Sequence, residues 1–165
     1  MSLFRGAANR CLQAAALYAP GARTLRVRLH RWRGVRIGPG TFISAGALIE
    51  TEFPELVSIG GNVTVGIRAV IIAHFRDRGL PAEPTVVIED DAFIGPGAIL
   101  LPRIRIGKGA VVSAGTVVSR SVEAGTMVQG NPARVVARCE VPLGVDTHYS
   151  DFLRGLKPIR GSADS

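Results

Sequence analysis

The sequence predicts an all-β solenoid: a chain wound into stacked triangles of short parallel strands, with helical segments ahead of it and a short tail behind. Three observations predict it. Written in sixes from Ile37, again from Ile59 and again from Ile88, the chain yields twelve hexads, IGPGTF to VSRSVE, and every one begins with Ile, Val or Leu. The fifth position is Thr, Ala or Val in nine of the twelve, the exceptions being Phe53, Phe75 and Ile104. Val and Ile number 31, of which 26 lie between Ile37 and Val136, a β-branched enrichment that suits strands. A period of six matches neither a helix nor simple strand alternation. It fits a short strand, a tight turn and another short strand, three such sides closing one coil.

The elements follow in order. Leu3, Ala7, Cys11, Ala15 and Tyr18 recur at helical spacing and stop at Pro20-Gly21, so a first helix with that stripe as its apolar face is expected. Thr24 to Arg33 alternates Leu25, Val27 and Leu29 with Arg26, Arg28 and His30 as a strand would. Thr24 as N-cap, Leu25, Leu29 and Trp32 on one face and Gly34 after the end favour a helix. In the hexads, first-position residues point inward and stack on their equivalents ~4.8 Å along the axis, and the small fifth residue fills the inner corner. Gly38, Gly60, Gly66, Gly95 and Gly107 are expected to serve the corner geometry. Two interruptions, ten residues from Ile49 to Ile59 and seventeen from Ile71 to Ile88, become external loops on one face, where function commonly resides. The second holds His74. After the last coil, Pro142, Gly144, Phe152, Leu153 and Leu156 suggest a tail with a helical turn or two over an end of the solenoid, whose open strand edges need cover. The organisation is residues 1–34 as a basic helical appendage, 35–138 as the solenoid and 139–165 as the capping tail.

The 165 residues allow one domain, at most two very small ones, and 5% aromatic with 20% charged residues speaks against a coiled coil or a disordered chain. The net charge of +7 is uneven: residues 1–36 hold eight Arg and no acid, the remainder twelve basic and thirteen acidic groups. Such an appendage reads first as a solvated face. Its functional alternative is peripheral contact of residues 3–33 with anionic lipid or a lipid-phosphate-linked glycan through Arg26, Arg28 and Arg31. Nucleic acid is not an expected partner, since Trp32 alone interleaves those arginines. Cys11 and Cys139 stand far apart with no metal-binding spacing, so two buried thiols are expected and no metal site. No apolar run approaches a membrane span and none has the profile of a signal peptide, which points to a cytoplasmic protein, possible contact with the inner membrane face aside.

The hexads, together with the run at residues 88–136 that closes on Gly130-Asn131-Pro132-Ala133, resemble the hexapeptide-repeat acyltransferases, the family of maltose, galactoside and serine acetyltransferases and of polysaccharide-modifying enzymes. The resemblance implies a left-handed parallel β-helix and a homotrimer with sites between subunits. It also implies acetyl transfer from acetyl-CoA to a hydroxyl of a sugar or surface-polysaccharide intermediate. An N-acetyltransferase acting on an amino sugar and a non-catalytic scaffold are the alternatives. Direct transfer needs a base, and a neutral imidazole suits it. His74 opens the long loop where family members place their catalytic histidine, whereas His30 and His148 lie outside the repeats. A γ-type carbonic anhydrase needs three zinc-binding histidines and is disfavoured by that count. For coenzyme A the resemblance points to Gly95, Pro96, Gly97, Ala114 and Gly115 beside the pantetheine arm, and to Ser119, Arg120, Asn131 and Arg134 near the nucleotide. In the first coil Gly46 stands where maltose-type enzymes have an asparagine. Glu50 and Glu52 then read either as replacement acceptor contacts or, in preference, as solvated loop carboxylates.

Overall fold

The computed structural model describes residues 3–75, 81 and 83–159. Part of the second loop, residues 76–80 and 82, lies outside them.

Two helices come first, α1 (Leu3–Tyr18) and α2 (Leu25–Arg33). The coils follow as β1 (Arg36–Ile37), β2 (Phe42–Ile43) and β3 (Leu48–Ile49); β4 (Val57–Ile59), β5 (Thr64–Val65) and β6 (Val70–Ile71); β7 (Val86–Ile88), β8 (Phe93–Ile94) and β9 (Ile99–Leu100); and β10 (Ile104–Ile106), β11 (Val111–Val112) and β12 (Val117–Val118). Three parallel sheets form the sides of the triangle, in the orders β1-β4-β7-β10, β2-β5-β8-β11 and β3-β6-β9-β12. The register stacks like on like: Ile43 on Val65 on Ile94 on Val112, and Ile49 on Ile71 on Leu100 on Val118. Every hexad-opening residue from Ile43 to Val118 is at most 2% exposed. Each such aliphatic side chain contributes roughly 2 kcal/mol by leaving water.

The fifth-position residues are inside as expected, Ala47, Val63, Ala69, Ala92, Ala98, Ala110 and Thr116 all being buried. At the interruptions this changes. Phe53 is only half-buried, and Phe75 is 56% exposed while Ala73 goes inside. The corner glycines are required as expected, because the next coil leaves no room for a side chain. A Cβ on Gly95 would stand 2.6 Å from the Ala114 nitrogen, so that glycine is required for close approach of successive coils; the left-handed backbone falls two residues later, on Gly97 with φ +66°.

The solenoid ends in a hairpin. β13 (Thr126–Gln129) continues the second sheet in parallel with β11, then β14 (Arg134–Cys139) and β15 (Leu156–Pro158) add antiparallel strands, with helix α3 (Tyr149–Arg154) between them burying Phe152. The tail therefore extends a sheet as well as covering an end.

At the other end the helices sit where predicted, but α1 turns its expected stripe outward and α2 buries only Leu29 of its expected face. On α1, Ala7, Cys11, Ala15 and Tyr18 are exposed, and Gln13 and Ala16 are buried instead. On α2, Arg26, Val27, Leu29, His30 and Arg33 face inward while Leu25 and Trp32 are 40% and 68% exposed. Gly34 closes the helix at φ +114°, as its position suggested, whereas the Thr24 side chain makes no capping bond. The first coil explains the facing of α2. Its inward residues Ile37, Ile43 and Ile49 turn their carbonyls to the open end, and a guanidinium, which only donates, satisfies each side of the triangle. Arg31 bonds Ile37 O (2.8 Å) and Gly38 O, Arg26 bonds Ile43 O, and Arg33 bonds Ile49 O (3.0 Å). Two of the three arginines expected to meet lipid are thus engaged with the protein's own backbone, and Arg28 is exposed. Among the described residues no helix is long and apolar enough to cross a membrane. Cys11 is exposed and Cys139 half-buried, against the expectation of two buried thiols.

Candidate active site

Both interruptions leave the same corner of the triangle, after β3 and after β6, because each follows the third side of its coil. That shared corner brings Glu50 beside His74. The Glu50 backbone N–H bonds Ile71 O (2.8 Å), fixing the two turns side by side. The Glu50 side chain, only 1% exposed, turns inward across them. Its Oε2 accepts from the Ala73 N–H (2.8 Å) and from His74 Nδ1 (2.9 Å), and its Oε1 from the N–H groups of Glu52 (2.9 Å) and Phe53 (3.3 Å). Burial pushes this carboxyl upward, but the bonds from the Glu52, His74, Ala73 and Phe53 donors outweigh it and hold Glu50 below the usual glutamate value. It is therefore an anion that only accepts. Nδ1 of His74 must therefore carry a hydrogen, and in the neutral tautomer this bond selects, the lone pair is on Nε2.

The imidazole is held on a second side by Phe53, whose ring meets it edge-on at 4.9 Å and 90°. Nε2 points outward, 3.7 Å from Glu52 Oε2, and a shallow cavity of about 90 Å³ lined by Leu48, Thr51, Val70 and Ile72 opens beside the pair. The solvated reading holds for the Glu52 side chain, which is 55% exposed, and fails for Glu50. Nothing local in the sequence separates Glu50 from Glu52; the inward turn of one and the outward turn of the other show only in the stacked coils.

The remaining site residues fall on two edges. Gly95, Pro96, Gly97, Ala114 and Gly115 stack at the corner between the second and third sides, joined by the bonds Gly95 N to Val112 O and Gly115 N to Pro96 O. A Cβ on Gly97 or Gly115 would meet nothing within 4 Å, so this edge is open. Ser119 and Arg120 lie at the other end of the third side, on the corner that carries His74 two coils earlier. With Pro132, Ala133 and Arg134 they line a cavity of about 450 Å³. Residues 130–133 run beside β12, Gly130 O accepting from the Val117 N–H and Val117 O from the Ala133 N–H, so Asn131 lies between the two edges. Within one chain the glycine corner and the imidazole stand at opposite ends of the third side.

The bacterial transferase hexapeptide model, six repeats, matches residues 85–120. Residues 85–120 thus carry the hexapeptide repeat of that model. The winding of the chain is accordingly the left-handed parallel β-helix of that group. YvoF of Bacillus subtilis, whose name assigns it provisionally to the acetyltransferases, is 36% identical over 102 residues, 62% of this chain and 59% of its own length. A 2,3,4,5-tetrahydropyridine-2,6-dicarboxylate N-acetyltransferase of Staphylococcus aureus is 46% identical over 77 residues, 47% of this chain and 31% of its own. The hexapeptide-repeat chain thus spans a third to three-fifths of these curated relatives. Among solved structures, a hexapeptide-repeat acetyltransferase of Vibrio cholerae complexed with acetyl coenzyme A superposes with a TM-score of 0.64 at 23% identity, over 82% of this chain and 87% of that one.

Proposed function

We propose that this protein is an acetyltransferase that moves the acetyl group of acetyl-CoA directly onto a hydroxyl of a sugar or surface-polysaccharide intermediate, with His74 as general base. The observation that carries the reading is the Glu50–His74 pair. The buried carboxylate fixes the tautomer and the ring, so Nε2 takes the acceptor's proton as its oxygen attacks the thioester carbonyl. The thiol of coenzyme A leaves with a proton, and the imidazole returns to its neutral form. No covalent enzyme intermediate is needed, and catalysis consists of alignment and of donors for the developing oxyanion.

Acetyl-CoA is the donor by analogy with the Vibrio acetyltransferase solved with it. Arg120 and Arg134, with Ser119 on the 450 Å³ cavity, suit its phosphates, and Asn131 precedes the cavity's Pro132 in the chain. Gly95, Pro96, Gly97, Ala114 and Gly115 offer open backbone to the pantetheine arm. A homotrimer reconciles the two edges, because threefold packing sets one subunit's glycine corner against the imidazole corner of its neighbour. Transfer to an amino sugar is the second reading, favoured by the N-acetyltransferase among the relatives.

The test is a panel of neutral sugars and amino sugars with acetyl-CoA, following release of free thiol. His74→Ala is expected to lower turnover by about two to four orders of magnitude with acetyl-CoA affinity retained. Turnover near that of the unaltered protein removes His74 from the role, and an absence of acetyl-CoA binding by calorimetry returns the protein to a non-catalytic scaffold.

A further inference from the structure

The geometry points to Arg33, in the N-terminal cap, as a positioning residue that orients the His74 imidazole through Glu50; the kinetic part of this inference rests on His74 being the base proposed above. Three arginines of α2 close the three sides of the first coil, but they do not end on equivalent backbone. Arg31 and Arg26 hold Ile37, Gly38 and Ile43, which lead into ordinary corners. Arg33 holds Ile49 O and, with Nη2, the carbonyl of Glu50 itself. The residue whose side chain grips the imidazole is thus gripped by its own main chain from the cap.

The hold extends further in both directions. Asn9 of α1 accepts from Arg33 Nε (2.7 Å) and donates its amide to Thr51 O (2.6 Å), so three successive carbonyls, 49, 50 and 51, are anchored to the helices. Arg33 is in turn oriented by His30, whose Nδ1 stands 3.0 Å from Nη1. From Thr51 the chain turns so that the N–H groups of Glu52 and Phe53 return to Glu50 Oε1, and the same Phe53 carries the ring that packs on His74. Release of the Glu50 carbonyl therefore loosens the carboxylate and the aromatic wall together. Misplacing a catalytic group by an ångström is enough to cost turnover heavily.

An edge-closing role alone makes the three arginines interchangeable in effect, whereas positioning singles out Arg33. The decisive probe is the His74 Nδ1–H proton, observed by NMR in full-length protein labelled with 15N-histidine, which reports the bond to Glu50 whatever the protein's activity. We expect that resonance to be lost or broadened in Arg33→Gln and retained in Arg31→Gln and Arg26→Lys. In the kinetic arm, with acetyl-CoA and whichever panel sugar releases thiol fastest, Arg33→Gln is expected to lower kcat about ten- to a hundredfold while KM for acetyl-CoA stays within twofold. Arg33→Lys, which keeps a donor at the carbonyls, recovers part of the loss and serves also if the glutamine variant does not fold. In a Glu50→Gln background the Arg33→Gln change adds no further loss of kcat, the non-additivity of residues acting in series. Retention of the Nδ1–H signal in both Arg33 variants overturns the inference, as does an equal loss in Arg31→Gln. Loss of the signal in Arg33→Gln alongside full activity of His74→Ala supports the positioning and removes only the base assignment.

Discussion

The coils and the N-terminal cap bury side chains by opposite rules. In the coils the interior is mainly Ile, Val, Leu and Ala at fixed intervals, and the strands bond to their equivalents one layer away. In the cap Arg26, His30 and Arg33 go inside beside Ala16, Val27 and Leu29, while Leu25, Tyr18 and Trp32 face solvent. The difference teaches that what goes inside is set by the surface being covered. A finished layer offers its neighbour methyl groups in register. The first layer offers carbonyls without a preceding strand, and leaving one of these buried and unpaired costs about 1–3 kcal/mol, as much as burying a leucine gains.

That contrast can be broken or sharpened by experiment. Ile94→Ala, deep in the third coil at 0% exposure, is expected to cost about 4 kcal/mol in equilibrium denaturation, since rigid layers above and below keep the cavity open; a cost below ~1 kcal/mol says that the layers collapse onto the gap and that the stacking is loose. In the cap, acid is the sharper probe. Burial, then the charges of Arg33 and Arg26, pull His30 down from 6.5 to about 3. The unfolded chain therefore takes up the proton first, so stability is full above pH ~6.5 and falls continuously toward pH ~3. Urea midpoints between pH 7 and 4 are expected to reveal a loss of roughly 3 kcal/mol that His30→Gln largely abolishes. Glu50, held below its usual value, adds to the loss in the same direction below pH ~4.5. Arg26→Met leaves the Ile43 and Ala19 carbonyls without their donor and is expected to cost about 2 kcal/mol, although the new side chain is apolar and the site buried. Trp32→Ala closes the series at the small end: removing the largest apolar residue of the cap is expected to change stability by less than about 0.5 kcal/mol, as for any exposed site.

The period of six made the coils legible because each layer repeats the same contacts, so one rule was tested twelve times along the chain. The two helices were legible as helices, from Pro20-Gly21 and Gly34, but not in their facing. Helical periodicity assumes an apolar partner, and the partner of α2 is a ring of carbonyls. His74 stood out as the histidine within the repeats. Glu50 did not, since nothing local separates it from Glu52 two residues on; only stacking the 22-residue first coil on the next shows that one carboxylate turns in and the other out. The tail's β14 and β15 were unread for a related reason: antiparallel pairing at the end of a parallel sheet leaves no six-residue mark.

The shared corner after each third side also acts as a ruler. His74 leaves it in the second winding and Arg120 in the fourth, so their separation along the axis is a count of layers, about 10 Å at ~4.8 Å per layer. Duplicating or removing a whole 18-residue winding such as 89–106 changes that span in a single quantised step, at the expense of the Arg23–Asp146 ion pair (3.2 Å), which ties the cap to the tail along the outside of the coils. A molecule of this design sets the distance between two side chains on one corner by arithmetic on its layers, leaving the side chains themselves untouched.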